Sequence, residues 1–310
     1  MNILVTGGAG YIGSVLVPNL LSNNHMVTVI DNFMYKQTSL ASSIGNPNFE
    51  LVFGDVRDNT LMLKLLSKAD LVIPLAAIVG APACDKDSIT ARSVNKDSII
   101  WLIDKLSSNQ RILMPTTNSA YGSGDHDNLC DENSELKPLS LYAKDKVTVE
   151  KALMNFSNAT SFRLATVFGL SPRMRLDLLV NNFVFRAVSD GFIVIFEGHF
   201  KRNYIHLHDV VNVFNMAINN EHNFRGEIFN VGLSEANLSK IQLCDEIKKI
   251  LPDFTYLEAP YGKDPDQRNY IVSNSKVEAL GFKPIKSLQI GLQELVQGIK
   301  MYDSKPFTNI

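Results

Sequence analysis

The feature that most narrows what this chain can fold into is a run of glycines near its start. Thr6-Gly7-Gly8-Ala9-Gly10-Tyr11-Ile12-Gly13 separates a short apolar run, Asn2 to Thr6, from a helical pattern, Tyr11 to Ser22. It satisfies G-x-G-x-x-G through Gly8, Gly10 and Gly13, and G-x-x-G-x-x-G through Gly7, Gly10 and Gly13. Glycines at this spacing permit a tight turn, close approach of backbone to a pyrophosphate, and close packing of helix on strand. The following helix N-terminus offers unpaired N–H groups and about half a positive charge to an anion. That dipole matters here, because no Asp, Glu, Lys or Arg precedes Asp31. With 18 Gly in 310 residues, chance supplies such a spacing roughly 0.06 times. A P-loop is excluded, since neither Lys-Ser nor Lys-Thr follows the glycines.

What comes next continues the alternation. Val27 to Ile30, Phe49 to Phe53, Leu71 to Leu75 and Arg111 to Pro115 are short runs that suit parallel strands buried on both faces. Helical patterns at Thr60 to Leu66 and Ile89 to Leu106 lie between them, and a helix at Leu141 to Phe156 with a strand at Thr160 to Val167 extends the series. The expected fold class is α/β, a doubly wound parallel sheet (Rossmann) with a second, smaller mixed α/β substrate lobe. Residues 1–168 are expected to form the dinucleotide-binding part, continued by a helix near 208–220 and a strand near 227–231. Residues 169–310 are expected to form the second lobe. Pro18 falls inside the first helix and is expected to kink it.

Asp31 ends the second strand, where a carboxylate accepts both ribose hydroxyls of NAD. A 2′-phosphate would meet like charge there, and no Arg follows until Arg57. NAD is therefore expected over NADP, although an Asp-Asn pair also serves as a turn cap. Asp55, at the end of the third strand, either meets adenine or closes a turn.

Composition excludes several other classes. Thirty basic residues against 32 acidic ones leave a net charge of −2, which is no surface for wrapping nucleic acid. The three cysteines, Cys84, Cys130 and Cys244, are too few and too scattered for a disulfide framework or a zinc knuckle. The longest apolar run, Leu71 to Cys84, contains Pro74 and Pro82 and is too short to cross a bilayer. A cytoplasmic protein without membrane or nucleic-acid partners is expected.

Taken in order, the motifs resemble those of extended short-chain dehydrogenases/reductases, the branch of nucleotide-sugar 4-epimerases, dehydratases and dehydrogenases. The matching residues are Thr6 to Gly13, Asp31-Asn32, Gly54-Asp55-Val56, Leu75-Ala76-Ala77, Asn95 and Thr116 to Gly122. They continue with Tyr142 and Lys146, Arg202 to Asp209, and Phe229-Asn230-Val231-Gly232. By this resemblance Tyr142 is the general base, Lys146 supports it and holds the nicotinamide ribose, and Thr117 bonds the reacting oxygen. A phenol that works near pH 7 needs a shift of about three units, or ~4 kcal/mol, which a nearby ammonium in a dry pocket can supply. The resemblance also implies cofactor contacts from Gly7, Gly10, Tyr11, Ile12, Gly13, Asp31, Asn32, Asp55, Val56, Leu75, Ala76, Ala77, Asn95 and Thr116. Asn95 could orient a backbone or water link near the site or lie on a helix surface.

Departures from the pattern narrow the reaction. The dehydratases of this branch carry an acidic pair directly after the Ser/Thr, whereas Asn118-Ser119 follow Thr117 here. No Cys lies in that loop as in enzymes that also epimerise at C3 and C5, with Cys130 the nearest. Oxidoreduction at C4 is the expectation that remains. Thr166 replaces an Asn that commonly contacts substrate. The stretches Leu164 to Asn182 and Lys201 to His206 most resemble bacterial GDP-heptose and GDP-hexose C4 dehydrogenases of surface-polysaccharide pathways.

A nucleotide-diphosphate sugar needs planar cationic donors. Arg202 and Arg268 match family positions that clamp the diphosphate, and Arg175 is either a third member or a solvated surface group. Thr117, Asn118, Ser119, Thr166, Asn181 and Asn182 complete the expected substrate contacts. His206-x-His208 lacks a third metal ligand, and Cys84 and Cys244 read as packed core thiols. The outcome could be a C4 dehydrogenase, a 4-epimerase of the UDP-glucose type, or a non-catalytic NAD-binding regulator. A homodimer is expected, built on the helices at 89–106 and 141–156, because Leu141, Val147, Val149, Leu153 and Phe156 spread around the second.

Overall fold

A computed structural model describes residues 1–123, 129–262 and 268–302. Its centre is a seven-stranded sheet, every pairing of which is parallel. The first strands are β1 (Asn2–Thr6), β2 (Met26–Asp31), β3 (Phe49–Phe53), β4 (Leu71–Pro74) and β5 (Arg111–Thr117). β1 lies between β2 and β4, with Val5 opposite both Val29 and Ile73. After β3 the chain crosses back over the sheet and re-enters as β4. A crevice therefore opens at the carboxyl ends of β1 and β4, where the strand order reverses.

Helices cover both faces. On one, α1 (Gly13–Ser22) runs through Pro18 and buries Leu16, Val17 and Leu20. On the other, α2 (Asn59–Leu66) shares a core with Val72, Ile99, Ile112, Val149 and Leu153. That second core also takes the segment expected as one helix from Ile89 to Leu106. Two α-helices, Ser88–Arg92 and Ser98–Lys105, flank a five-residue π turn, Ser93–Asp97. The wider turn shifts the phase of the helix by a residue, which no periodicity in the sequence announces.

The strand expected at Thr160 to Val167 is also two elements. Ala159–Leu164 lies in the central sheet between β5 and the strand Glu227–Val231. Thr166–Phe168 joins a separate three-stranded sheet, beside Lys201–His206. Ala165 makes the break, its N–H donating to the Val231 carbonyl (2.9 Å). No glycine or proline stands at the junction, Leu164-Ala165-Thr166, to mark the change of sheet.

The helix Leu207–Asn219 returns to the first sheet. Val210, Val211, Val213 and Phe214 enter the core that holds Leu16, Val17 and Leu20. A further core gathers Phe168, Val180, Val184, Leu243, Ile247 and Leu292. Among the described residues no helix is long and apolar enough to cross a membrane.

Candidate active site

A cleft of about 1030 Å³ runs along the carboxyl ends of the central strands. At its floor the glycine loop presents Gly7, Gly10, Tyr11, Ile12 and Gly13. Gly7 has φ +66°, and a Cβ there would lie 2.5 Å from the Ala76 backbone. At Gly13 a Cβ would lie 2.4 Å from the Gly8 carbonyl oxygen. Both glycines are thus imposed by packing of the loop on its neighbours. Gly10 faces open space apart from the Gly7 oxygen at 3.1 Å. Bare backbone at a helix N-terminus, open on one side, fits a dinucleotide pyrophosphate. Gly8 does not line the cleft; a Cβ there would strike Val29 at 2.8 Å, so it serves helix–strand packing.

Asp31 is both turn cap and cleft wall. Its Oδ2 accepts from the Ala9 N–H (3.0 Å), and its Oδ1 from the Phe33 N–H (2.8 Å) and Gln37 Nε2 (3.3 Å). Burial raises its pKa, and these bonds oppose the rise. Asn32, Asp55, Val56, Leu75, Ala76 and Ala77 line the same half of the cleft. Asp55 is paired with Arg57 at 2.8 Å, which holds its carboxyl at about 2.

Helix Leu141–Leu153 begins at the cleft because Ser140 caps it, accepting from the Ala143 N–H (3.2 Å). One turn then carries Tyr142 and Lys146 to the same wall. Lys146 Nζ lies 5.8 Å from the centre of the Tyr142 ring and donates to the Pro115 carbonyl (3.2 Å). Burial pushes the Tyr142 phenol up to about 12, while the Arg175 and Arg268 charges pull it down. Burial also brings the Lys146 ammonium down to about 8. Beneath them Glu150 accepts from Arg163 Nη2 (2.7 Å), Thr116 Oγ1 (3.0 Å) and Ser161 Oγ (2.8 Å). This buried network ties the helix to β5 and the next strand, and so fixes where Tyr142 and Lys146 stand.

Thr116, Thr117 and Ser119 also face the cleft. Thr117 Oγ1 accepts from the Ser119 N–H (3.1 Å), and Arg268 Nη1 donates to Ser119 Oγ. Thr166, Arg175, Asn182, Arg202 and Arg268 line the opposite side. Arg175 is no solvated surface group: it pairs with Asp177 at 2.5 Å, and both side chains are nearly buried.

Three expected contacts are corrected, since none of them lines the cleft. Asn95 is buried rather than on a helix surface, and its amide is consumed by the Ile78 backbone. Its Oδ1 accepts from the Ile78 N–H, and its Nδ2 donates to the Ile78 carbonyl, each at 2.8 Å. It therefore shapes the loop after β4 instead of touching a cofactor. Asn118 is fully buried behind Thr117. Asn181 accepts from the Gly169 N–H (3.0 Å) and donates to the Tyr11 hydroxyl (3.1 Å) and the Arg175 carbonyl (2.9 Å). It braces a loop, both its N–H donors are used, and it is fully buried.

The sequence reading missed Tyr35, Arg173, Phe196, Lys240 and Tyr270, which all line the cleft. Nothing in the spacing of Arg173 links it to the glycine loop. His206 and His208 are joined through His206 Nδ1, which accepts from the His208 N–H (3.2 Å). Among the described residues no group of three or more His, Cys, Asp or Glu side chains could hold a metal ion.

Comparison with known proteins agrees with this geometry. The NAD dependent epimerase/dehydratase family matches residues 3–232. The chain is 28% identical to a putative UDP-glucose 4-epimerase of Methanocaldococcus jannaschii, over 96% of this chain and 98% of that protein. It is 27% identical to the low-salt glycan biosynthesis protein Agl12 of Haloferax volcanii, over 96% and 97%. Among solved structures, UDP-glucuronic acid 4-epimerase from Bacillus cereus, in complex with UDP-glucuronic acid and NAD, superposes with a TM-score of 0.85. It is 27% identical, and the match covers 97% of this chain and 99% of that one.

Proposed function

Because the chain belongs to the NAD dependent epimerase/dehydratase family, and so is an NAD-dependent enzyme, we propose that it oxidises C4 of a nucleotide-diphosphate sugar and returns the hydride as a 4-epimerase. The observation that supports this most is one cleft shared by a glycine loop, the Tyr142–Lys146 helical turn and three arginines, Arg175, Arg202 and Arg268. The named 4-epimerases among its relatives support the epimerase outcome.

In this reading the glycine loop, Asp31, the loop after β4 and Lys146 would hold NAD, which would supply the hydride acceptor and donor for C4. Tyr142 takes the proton of the C4 hydroxyl and later returns it. Lys146, cationic at neutral pH, makes that proton transfer less costly by stabilising the phenolate. Thr117 Oγ1 orients the reacting oxygen. Arg202 and Arg268 hold the diphosphate, and residues 169–310 supply most of the sugar-nucleotide contacts, while 1–168 with the helix 207–219 and the strand 227–231 carry NAD. Elimination of water lacks its acid, since Asn118 and Ser119 follow Thr117 in place of an acidic pair. Glycan biosynthesis is the proposed setting, and a homodimer the proposed assembly.

A second reading, a GDP-heptose or GDP-hexose C4 dehydrogenase, is favoured by the stretches Leu164 to Asn182 and Lys201 to His206. One experiment separates the two. UDP-, CDP- and GDP-hexoses are incubated with enzyme and NAD, reading C4 configuration by NMR and NADH by absorbance. Inversion at C4 without net NADH is expected. Net NADH with a GDP-sugar would replace the first reading with the second, and no change in any sugar would remove both.

A further inference from the structure

The glycine loop has no cation of its own, and the structure supplies one from far along the chain. Arg173 follows the strand Thr166–Phe168, yet its backbone is pinned over the first turn of α1. The Arg173 N–H donates to Ser171 Oγ (3.2 Å) and Ser14 Oγ (3.4 Å), and Ser171 Oγ donates to the Tyr11 carbonyl (2.8 Å). From that anchor the guanidinium lies over the Tyr35 ring, 4.7 Å from its centre. Tyr35 stands four residues after Asp31, on the loop that closes the ribose end. Both side chains line the cleft, and Arg173 is nearly buried.

We propose that Arg173 and Tyr35 form a clasp on the adenosine-diphosphate half of NAD, with Arg173 as the cation of the pyrophosphate site. The proposal rests on NAD occupying this cleft. A helix dipole offers about half a charge to a group carrying about two negative ones. A buried guanidinium adds a full charge with a rigid plane, which the Tyr35 ring beneath and the Met174 carbonyl, accepting from Nη1 (2.5 Å), hold in place. The neighbouring charges are consistent with this: Arg173 acts electrostatically on both Asp31 and Tyr35. The clasp spans the cleft, since Tyr35 belongs to the loop after β2 and Arg173 follows the strand Thr166–Phe168. NAD is then held between them through a reaction cycle that needs no exchange of cofactor.

The test is calorimetric titration of the purified protein with ADP-ribose and with NAD, neither of which requires turnover. Arg173→Gln is expected to weaken both ligands by about tenfold and to the same degree, because the lost contact lies in the half they share. Tyr35→Ala is expected to weaken both several-fold, and Tyr35→Phe, which keeps the ring, to restore binding. If Arg173→Gln unfolds on melting, the Tyr35 pair decides alone. Binding of ADP-ribose within twofold of wild type in Tyr35→Ala, or in a folded Arg173→Gln, would overturn the clasp. Asp31→Ala is the control. A loss there with none in the clasp variants removes only the clasp, whereas a wild type that binds neither ligand removes the NAD assignment itself.

Discussion

At the scale of single residues, the site sets function against stability. Lys146 is buried with its charge, and its pKa falls from an ordinary 10.5 to about 8. Between those values the unfolded chain binds the proton that the folded chain has released, so stability rises with pH across that window. Below about pH 8 the whole penalty is present, on the order of 3 kcal/mol. Lys146→Met is therefore expected to raise the melting temperature of the cofactor-free protein at pH 7 while removing activity. An unchanged or lower melting temperature would show that the Pro115 bond outweighs desolvation. Tyr142→Phe is expected to keep NAD bound and to lower turnover by at least about a hundredfold, the scale of a lost acid–base group. Stopped-flow or steady-state rates near wild type would end the proposed role. Arg202→Ala and Arg268→Ala are expected to raise the Michaelis constant for the nucleotide sugar about tenfold or more and to spare NAD affinity. Arg175 was read as either a ligand or a surface group, and burial removes the surface group: it lines the cleft, with Nε and Nη2 already donating to Asp177.

Elements place these residues by strong local constraints. The helix that carries Tyr142 and Lys146 is fixed at its start by Ser140 and beneath by Glu150. Glu150→Ala would leave Arg163 charged and uncompensated in the interior. The expected cost is about 3–5 kcal/mol, read as a lower denaturation midpoint in urea. A loss under 1 kcal/mol would mean that water or another acceptor replaces the carboxylate. Gly13 sits where a Cβ would meet the Gly8 carbonyl. Gly13→Ala is therefore expected to lower NAD affinity by displacing the loop, and equilibrium dialysis would show no change if the loop can yield. The π turn at Ser93–Asp97 has a similar positioning effect: it carries Asn95 inward to grip Ile78. Neither that turn nor the break at Ala165 has a sequence signature, because no glycine or proline marks either place.

Over the whole molecule, the proposed function depends on separate hydrophobic cores whose residues meet in one cleft at the carboxyl ends of the central sheet. The helix Leu207–Asn219 shows how they interlock, since it comes late in the chain yet completes the first core. The expected homodimer is affected by the same burial. Val147, Val149 and Leu153, which seemed too many for one buried face, are all covered within the chain, and Lys144, Thr148 and Lys151 face outward. Ile89, 83% exposed on the preceding helical segment, is an apolar side chain open to a partner. A dimer is still expected by light scattering at micromolar concentration, weakened by Ile89→Asp; a monomeric wild type would remove it.

The sequence by itself determined whatever rests on short-range geometry. The glycine loop, the strand–helix alternation, Asp31 at a strand end and Tyr142 one turn before Lys146 each need only neighbours in the chain, so their residue types carry the message. Tertiary structure alone decided which polar groups were already spent. Asn95, Asn118 and Asn181 matched the expected positions, but packing turned them inward, where backbone partners or burial removed them from the cleft. It also brought Arg173 to Tyr35 across 138 residues of chain. No local pattern encodes such a meeting, because it depends on how the two lobes close around the crevice between them.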